Sequence, residues 1–323
     1  MTFKLLTVTL NPAIDINYPI NNFEINTVQR ASEDYKSAGG KGINVARVAN
    51  ELGLSVTCTG IIGGKFGEWL TNNLDETNIN HDFTISPAST RLCIAINSEG
   101  SQTEILESGA LQPEEIQTRF LEHFNTIASD YDLITISGSL PKGFPENYYV
   151  KLLEIAHKQE IPVCLDTSGK VLNYTVIHST HCPPLLIKPN DEEINEITSA
   201  DNLDLANQLL DERLAHIPYI LLSLGKNGAL LRYNEEVYNV DIPKIVAVNP
   251  VGSGDSSLAG FSYGLSQNNN YEVAAKFAMA AGISNALEAR TGHVDLDNFK
   301  KYSNQIIIEK VAKTSWQNPS NLY

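Results

Sequence analysis

Asn249-Pro250-Val251-Gly252-Ser253-Gly254-Asp255-Ser256-Ser257 is the stretch on which the chain is organised. The run before it, Ile245-Val246-Ala247-Val248, predicts a strand, and Leu258–Leu265 after it is small and apolar enough for a buried helix. Two glycines around a serine let the backbone turn tightly and bring its N–H groups close to a ligand. A helix starting directly after them offers unpaired N–H groups and the positive end of its dipole, which suits a phosphate. Asp255 stands at the mouth of that anion site, either as a base that takes a proton from a hydroxyl or as a helix N-cap. An N-cap alone does not need Gly-x-Gly immediately before it, which favours the base.

Composition narrows the partners. The chain has 323 residues, enough for one large α/β domain or two ordinary ones, and 42% of them are hydrophobic, as in globular proteins. No apolar run approaches the ~20 residues of a membrane helix, and Phe3–Leu10 is too short and β-rich for a signal peptide. A net charge of -15 argues against nucleic acid or an anionic membrane as a general partner, while leaving room for a local phosphate site. The four cysteines (Cys58, Cys93, Cys164 and Cys182) are scattered without C-x-x-C, so reduced thiols and a cytoplasmic location are expected.

Read in order, residues 4–10 predict a strand ending at Asn11-Pro12, with Asp15 in the turn region beyond. Ile14–Tyr18 and Val28–Ala31 read as short extended pieces of a small sheet outside the core. Gly39-Gly40-Lys41-Gly42 runs into an amphipathic helix that Gly53 stops, and 55–62 is the next strand. A helix at 67–77 and a short strand at 81–86 follow. Arg91–Leu106 alternates on both sides of Asn97–Ser101, a β-hairpin pattern. Beyond residue 113 the chain alternates: helices at 113–128 and 146–158, and strands at 133–136, 162–166, 185–188 and 219–223. Such alternation predicts a mostly parallel sheet covered on both faces, with ligands at the carboxyl ends of its strands. The tail from Ser315 reads as an appendage.

Several polar positions then gain interest. Lys41 among three glycines suits a phosphorylated ligand, although a glycine turn capping a helix is the plainer reading. Asp15 could hold sugar hydroxyls or serve a turn, and Arg91 could pair with a phosphate or lie solvated at a strand edge. Asn190 and Glu193 could orient a hydrated metal ion or cap a helix. His178-x-x-His181-Cys182 lacks a second pair at finger-like spacing, so no structural metal is expected. The absence of G-x-S-x-G argues against a hydrolase triad.

Taken with Gly39–Gly42, the Gly252–Asp255 stretch resembles the ribokinase-like (PfkB) carbohydrate kinases over essentially the whole chain. The supporting motifs, in order, are Thr9–Asp15, Gly39–Val45, Thr90-Arg91, Ser137-Gly138-Ser139-Leu140-Pro141, Lys188-Pro189-Asn190-x-x-Glu193, Ser223-Leu224-Gly225-x-x-Gly228-Ala229 and Val251–Ser256. The tagatose-6-phosphate kinase branch is nearest, on Asn249–Gly254 and Gln102–Glu107, with the 1-phosphofructokinase branch its neighbour. Gly252-Ser253-Gly254 departs from the commoner Gly-Ala-Gly, which a site built from backbone N–H groups should tolerate.

The resemblance implies a ribokinase-like three-layer sandwich spanning 1–314, with a mostly parallel central sheet and a small β-sheet lid from about 14–37 and 90–108. It implies Asp255 as the base and Gly252, Ser253 and Gly254 as the hole for charge on the transferred phosphoryl group. Asp15, Gly39, Gly40, Asn44 and Ser139 would hold the sugar, and Lys41 and Arg91 its existing phosphate. Lys188, Asn190, Ser223, Gly225, Gly228 and Asn285 would serve ATP, with Asn190 and Glu193 organising Mg2+ and a monovalent cation such as K+ as a further cofactor. Lid pairing implies a homodimer. The implied reaction is ATP-dependent phosphorylation of tagatose 6-phosphate. The alternatives are fructose 1-phosphate, then fructose 6-phosphate, and last a catalytically silent sugar-phosphate binding protein.

Overall fold

Six residues, Lys4–Thr9 (β1), are buried beyond the first, and burial on both faces is what a central parallel strand requires. The computed structural model describes residues 2–31, 34–98, 101–199, 204–233, 235–268 and 270–311. After β1 come β2 (Ala13–Pro19), β3 (Tyr35–Gly39), α1 (Lys41–Glu51), β4 (Ser55–Gly63), α2 (Gly64–Glu76), β5 (Asn80–Ser86), β6 (Arg91–Ser98) and β7 (Ser101–Leu106). The alternating part holds α3 (Glu114–Ile127), β8 (Leu133–Ser137), α4 (Tyr148–Lys158), β9 (Val163–Asp166), α5 (Gly169–His178), β10 (Leu186–Ile187) and α6 (Asp191–Thr198). The chain continues through α7 (Leu205–Gln208), β11 (Tyr219–Ser223), β12 (Ala229–Tyr233) and β13 (Glu236–Asp241). Last come α8 (Ser253–Asn268), α9 (Tyr271–Ala286), α10 (Leu296–Ser303) and β14 (Ile307–Lys310).

Ten strands form one sheet in the order β14-β13-β12-β11-β10-β9-β8-β1-β4-β5. From β11 to β5 every pairing is parallel, while β12, β13 and β14 add an antiparallel edge. Alternate residues of a strand serve opposite faces: in β11, Tyr219 and Leu221 pack into one core, Ile220 and Leu222 into the other. The first core includes residues of α1, α2, α8 and α9, and the second residues of α3 to α7. These are the three layers. Helices α8 and α9 touch backbone to backbone, since a Cβ on Gly260 would fall 2.3 Å from Phe277 O.

The remaining strands make a separate sheet in the order β3-β2-β6-β7. It leaves the core between β1 and β2, returns at β3, and is joined again at β6 and β7. Strand order in the large sheet turns at β1, with β4 on one side and β8 on the other. The crevice at such a switch point is where ligands bind, and the small sheet stands over it.

Some expectations need correction. Residues 245–248 form no strand; Val246 and Val248 are exposed, so β-prone residues there find no partner strand to pair with. Val28–Ala31 is likewise outside the small sheet, whose third strand is Tyr35–Gly39. Helix α5 and the antiparallel edge were not foreseen. Glu99-Gly100 of the expected hairpin turn, and the tail from Ser315, lie outside the described residues.

Candidate active site

Two helix starts converge on the crevice. Gly40, at φ 106 in the N-cap position, turns the chain out of β3 into α1, a backbone state that favours glycine. Lys41 is therefore the first residue of α1, and Asn44 faces inward from it. Gly252, at φ 81, makes the corresponding turn into α8. Asp255 is the third residue of α8 rather than its cap, and its Oδ2 accepts a hydrogen bond from Asn44 Nδ2 at 2.9 Å. The N-cap alternative for Asp255 thus falls away. Burial pushes its carboxyl up to about 6; Asp166 reinforces the rise, while Lys41, Lys188 and the Asn44 bond oppose it. A carboxylate held near neutrality is suited to accept a proton.

Close to Asp255 lies an ion-pair row in which Asp166 and Lys188 are buried and Lys41 is partly exposed. Asp166, at the end of β9, has Oδ1 3.6 Å from Lys41 Nζ and Oδ2 3.5 Å from Lys188 Nζ. Burial alone would lift Asp166, but Lys188 and Lys41 more than offset it and hold the carboxyl below its usual range. Lys41 is raised, chiefly by Asp166. A Cβ on Gly254 would sit 3.2 Å from Lys188 Nζ, so this ammonium lies against the glycine turn. Ser253 N–H turns back to Pro250 O at 3.2 Å. Gly252 and Gly254 face the cavity.

That cavity, about 800 Å3, lies between the small sheet and the crevice. From the core, Gly40, Lys41, Asn44 and Asp255 line it; from the sheet side, Asp15 and Arg91 do so. Asp15 is within β2, paired with Ser37 on β3 and Cys93 on β6, not in a turn. Burial lifts its carboxyl to about 6 against the attraction of Arg47 and Arg91. Gly39 does not line the cavity but makes room for this group: a Cβ there would fall 2.1 Å from Asp15 Cγ. Arg91 is not a solvated edge residue. Its Nε donates to Asn11 O and its Nη1 to Glu107 O, so it clamps the points where the small sheet joins the core. Ser139 Oγ accepts from Asn11 Nδ2 at 3.3 Å in the same wall.

The residues expected to serve ATP lie along the ends of β10 and β11, outside that cavity. Asn190 and Glu193 form a capping box on α6: Glu193 N–H donates to Asn190 Oδ1, and Asn190 N–H to Glu193 Oε2. Ser223 N–H donates to Pro189 O at 2.9 Å, which draws the two strand ends together. Gly225 and Gly228 shape the turn after β11, and a Cβ on Gly228 would collide with Val240 O. Asn285 differs from expectation. It is fully buried, donates to Val251 O and Ser253 Oγ, and accepts from Gly292 N–H, so it braces the glycine turn from behind.

Three participants escaped the sequence reading. Asp166 carried a signal, an acid ending an apolar strand at the sheet's carboxyl edge. Arg47 carried another, a cation inside Val45-Ala46-Arg47-Val48-Ala49. Arg290, over the Tyr35 ring at 4.4 Å and lining the cavity, sits in a loop with no pattern to mark it.

Two glycine turns opening helices, a buried carboxylate beside them and a cavity under a small sheet are the arrangement expected of a sugar kinase. Residues 8–295 match the model of the pfkB family carbohydrate kinases, and the chain belongs to that family. It is an ATP-dependent sugar kinase. Escherichia coli phosphofructokinase-2 is similar in its potassium complex (26% identity, TM-score 0.86) and in its fructose-6-phosphate complex (25%, 0.83); each alignment covers 94% of this chain and 99% of that one. A possible 1-phosphofructokinase from Thermotoga maritima is 25% identical with TM-score 0.83, over 96% of this chain and 100% of that one. Ribokinase of Arabidopsis thaliana, 19% identical with TM-score 0.73 over 93% and 98% of the two chains, shares the fold. The architecture is therefore ribokinase-like, with the small sheet as its lid.

Proposed function

We propose that this kinase phosphorylates a ketohexose phosphate, tagatose 6-phosphate first among them, at the hydroxyl remote from the existing phosphate. The observation that carries this reading is one cavity lined by Asp255, Asp15 and the cations Lys41, Arg91 and Arg290. Three cations around one cavity suit a substrate that already carries a phosphate, a charge that an unphosphorylated sugar lacks. Asp15 and Asn44 orient the sugar, and Asp255 accepts the proton of the attacking hydroxyl. The N–H groups at Gly252 and Gly254 take up charge developing on the transferred phosphoryl group. The lid excludes water that would otherwise hydrolyse ATP.

ATP is read along β10 and β11, with Lys188 reaching from there to the glycine turn. Mg2+ bound with ATP usually keeps several waters and needs only one or two carboxylates from the protein. Glu193, whose Oε2 serves the α6 cap, would hold the ion's waters beside the ATP phosphates through Oε1, with Asn190. When bound, the ion neutralises phosphate charge. The potassium complex of the Escherichia coli enzyme supports testing K+ here. Ile105 and Leu106 on β7 are exposed, which supports pairing of two lids in a homodimer.

The second reading is fructose 6-phosphate, favoured by the fructose-6-phosphate complex of the Escherichia coli relative; fructose 1-phosphate is the third, by likeness to the Thermotoga protein. An ADP-release assay with Mg·ATP and each of the three sugar phosphates tests the proposal. The highest kcat/KM is expected with tagatose 6-phosphate. Preference for another of the three moves the substrate and leaves the residue roles intact, whereas turnover of none refutes the phosphate pocket.

A further inference from the structure

Arg47 lies on the apolar side of α1 with 6% of its surface exposed, and a buried cation needs partners to offset its desolvation. It donates to Ala38 O at the end of β3, to Thr291 O at 3.4 Å on the loop after α9, and from Nη1 to Asn44 Oδ1 at 3.0 Å. An arginine offers donors only and stays charged. The Asn44 atom facing it must therefore be the oxygen, which is how an amide's orientation is decided. The other end of the same amide, Nδ2, is the atom that meets Asp255 Oδ2.

We propose that Arg47 is a positioning residue for the base: its Nη1 locks the Asn44 amide so that an NH2 donor, not a carbonyl oxygen, faces the Asp255 carboxylate. The inference rests on the reading of Asp255 as the base. A flipped Asn44 would set oxygen lone pairs against that carboxylate, disfavouring its charged form. The surroundings hold the lock closed. A Cβ on Gly292 would fall 2.8 Å from Arg47 Nη1 and 3.0 Å from Asn44 Oδ1, so the loop backbone packs directly on the pair. Gly292 N–H in turn donates to Asn285 Oδ1 at 2.7 Å, and Asn285 braces Val251 and Ser253. One framework thus fixes both Asn44 and the anion turn.

The charges around the two ends differ. Asp255 is faced by Lys41 and Asn44 of α1, Asp166 of β9 and Lys188 beyond β10. Arg47 is faced by Asp15 of β2, Tyr35 of β3, Glu51 of its own helix and Cys58 of β4. Its charge bears on Asp15 directly, whereas its hold on Asp255 runs through Asn44.

The test is kcat against pH for the full chain, with saturating Mg·ATP and the best ketohexose phosphate. Arg47→Gln offers Asn44 either a donor or an acceptor, so the amide is no longer locked. Its acid limb is expected about half a pH unit or more above wild type, with kcat down about threefold on the acid side, near pH 5, and little changed at pH 8. In an Asn44→Ala background the same substitution is expected to move the limb no further. The substrate phosphate titrates alike in every variant and cancels in the comparison. An unmoved limb in Arg47→Gln, or an equal further shift in the Asn44→Ala background, overturns the inference. If Arg47→Gln does not fold, Gly292→Ala keeps Arg47 and wedges the pair apart; the same shift is expected, and an unmoved limb is again contrary. A wild type inactive on all three ketohexose phosphates would instead refute the phosphate pocket, whereas an Asp255→Asn variant as active as wild type would overturn the reading of Asp255, and this inference with it.

Discussion

Asn44 and Asp255 lie 211 positions apart in the chain, yet the amide of one donates to the carboxylate of the other at 2.9 Å. The bond joins the first turns of α1 and α8, so the glycine turns that start these helices, at Gly40 and Gly252, set the geometry of the base. The consequences below follow from how that junction is charged and supported.

Asp255 and Asp15 both have carboxyls lifted by burial from 3.8 to about 6. Folding therefore strengthens their hold on protons, and between about pH 4 and 6 their contribution to stability falls as pH rises. Activity runs the other way, because the base works only when charged. The expected result is a kcat that climbs through pH 6 while the melting temperature does not. Asp255→Asn is expected to stabilise the fold at pH 8 by up to about 3 kcal/mol, and by less at pH 5. Thermal melts at the two pH values check this.

Asp166 is the shared counter-charge of Lys41 and Lys188. Asp166→Asn keeps the shape and strands two ammonium groups, one of them almost fully buried. A loss of about 3 kcal/mol is expected by urea unfolding, with a raised KM for ATP because Lys188 loses its anchor. The held-down carboxyl contributes its stability above pH 3.8 and loses it only below, so its own share of the loss should be present in full from pH 5 to 8, with Asp255, freed of the Asp166 charge, adding a pH-dependent part around pH 6.

Gly39→Ala tests the sugar side without touching the base. The added methyl would collide with the Asp15 carboxyl and force it from the cavity. Sugar-phosphate KM is expected to rise about tenfold or more, with ATP KM little changed, since one misplaced orienting group is enough to weaken binding. Steady-state kinetics with each substrate varied in turn measures the split.

Much of this was legible in the residues. The α/β alternation gave the parallel sheet because strands buried on both faces read as continuous apolar runs, as Tyr219–Leu222 does. Gly39–Gly42 and Gly252–Asp255 marked the helix starts because only certain backbone turns serve there. What was missed depends on distance along the chain. Ile245–Val248 has the composition of a strand, but a strand needs a neighbour, and none pairs with it. Asp15 stayed open between a sugar-facing group of the extended piece Ile14–Tyr18 and a turn residue, because its partners on β3 and β6 lie far away in sequence. Arg47, Asp166 and Arg290 gain meaning only from the groups folded against them, and Asn285 was assigned to a surface that it supports from within.

Asp255→Asn gives the most direct measurement of the central claim. Turnover of the preferred ketohexose phosphate and ATP binding would be compared between wild type and variant. Loss of kcat by at least ~10² with ATP affinity kept is expected of a base that acts on the acceptor hydroxyl. Unchanged turnover would contradict the assignment of Asp255, and with it the account of how this site transfers a phosphoryl group.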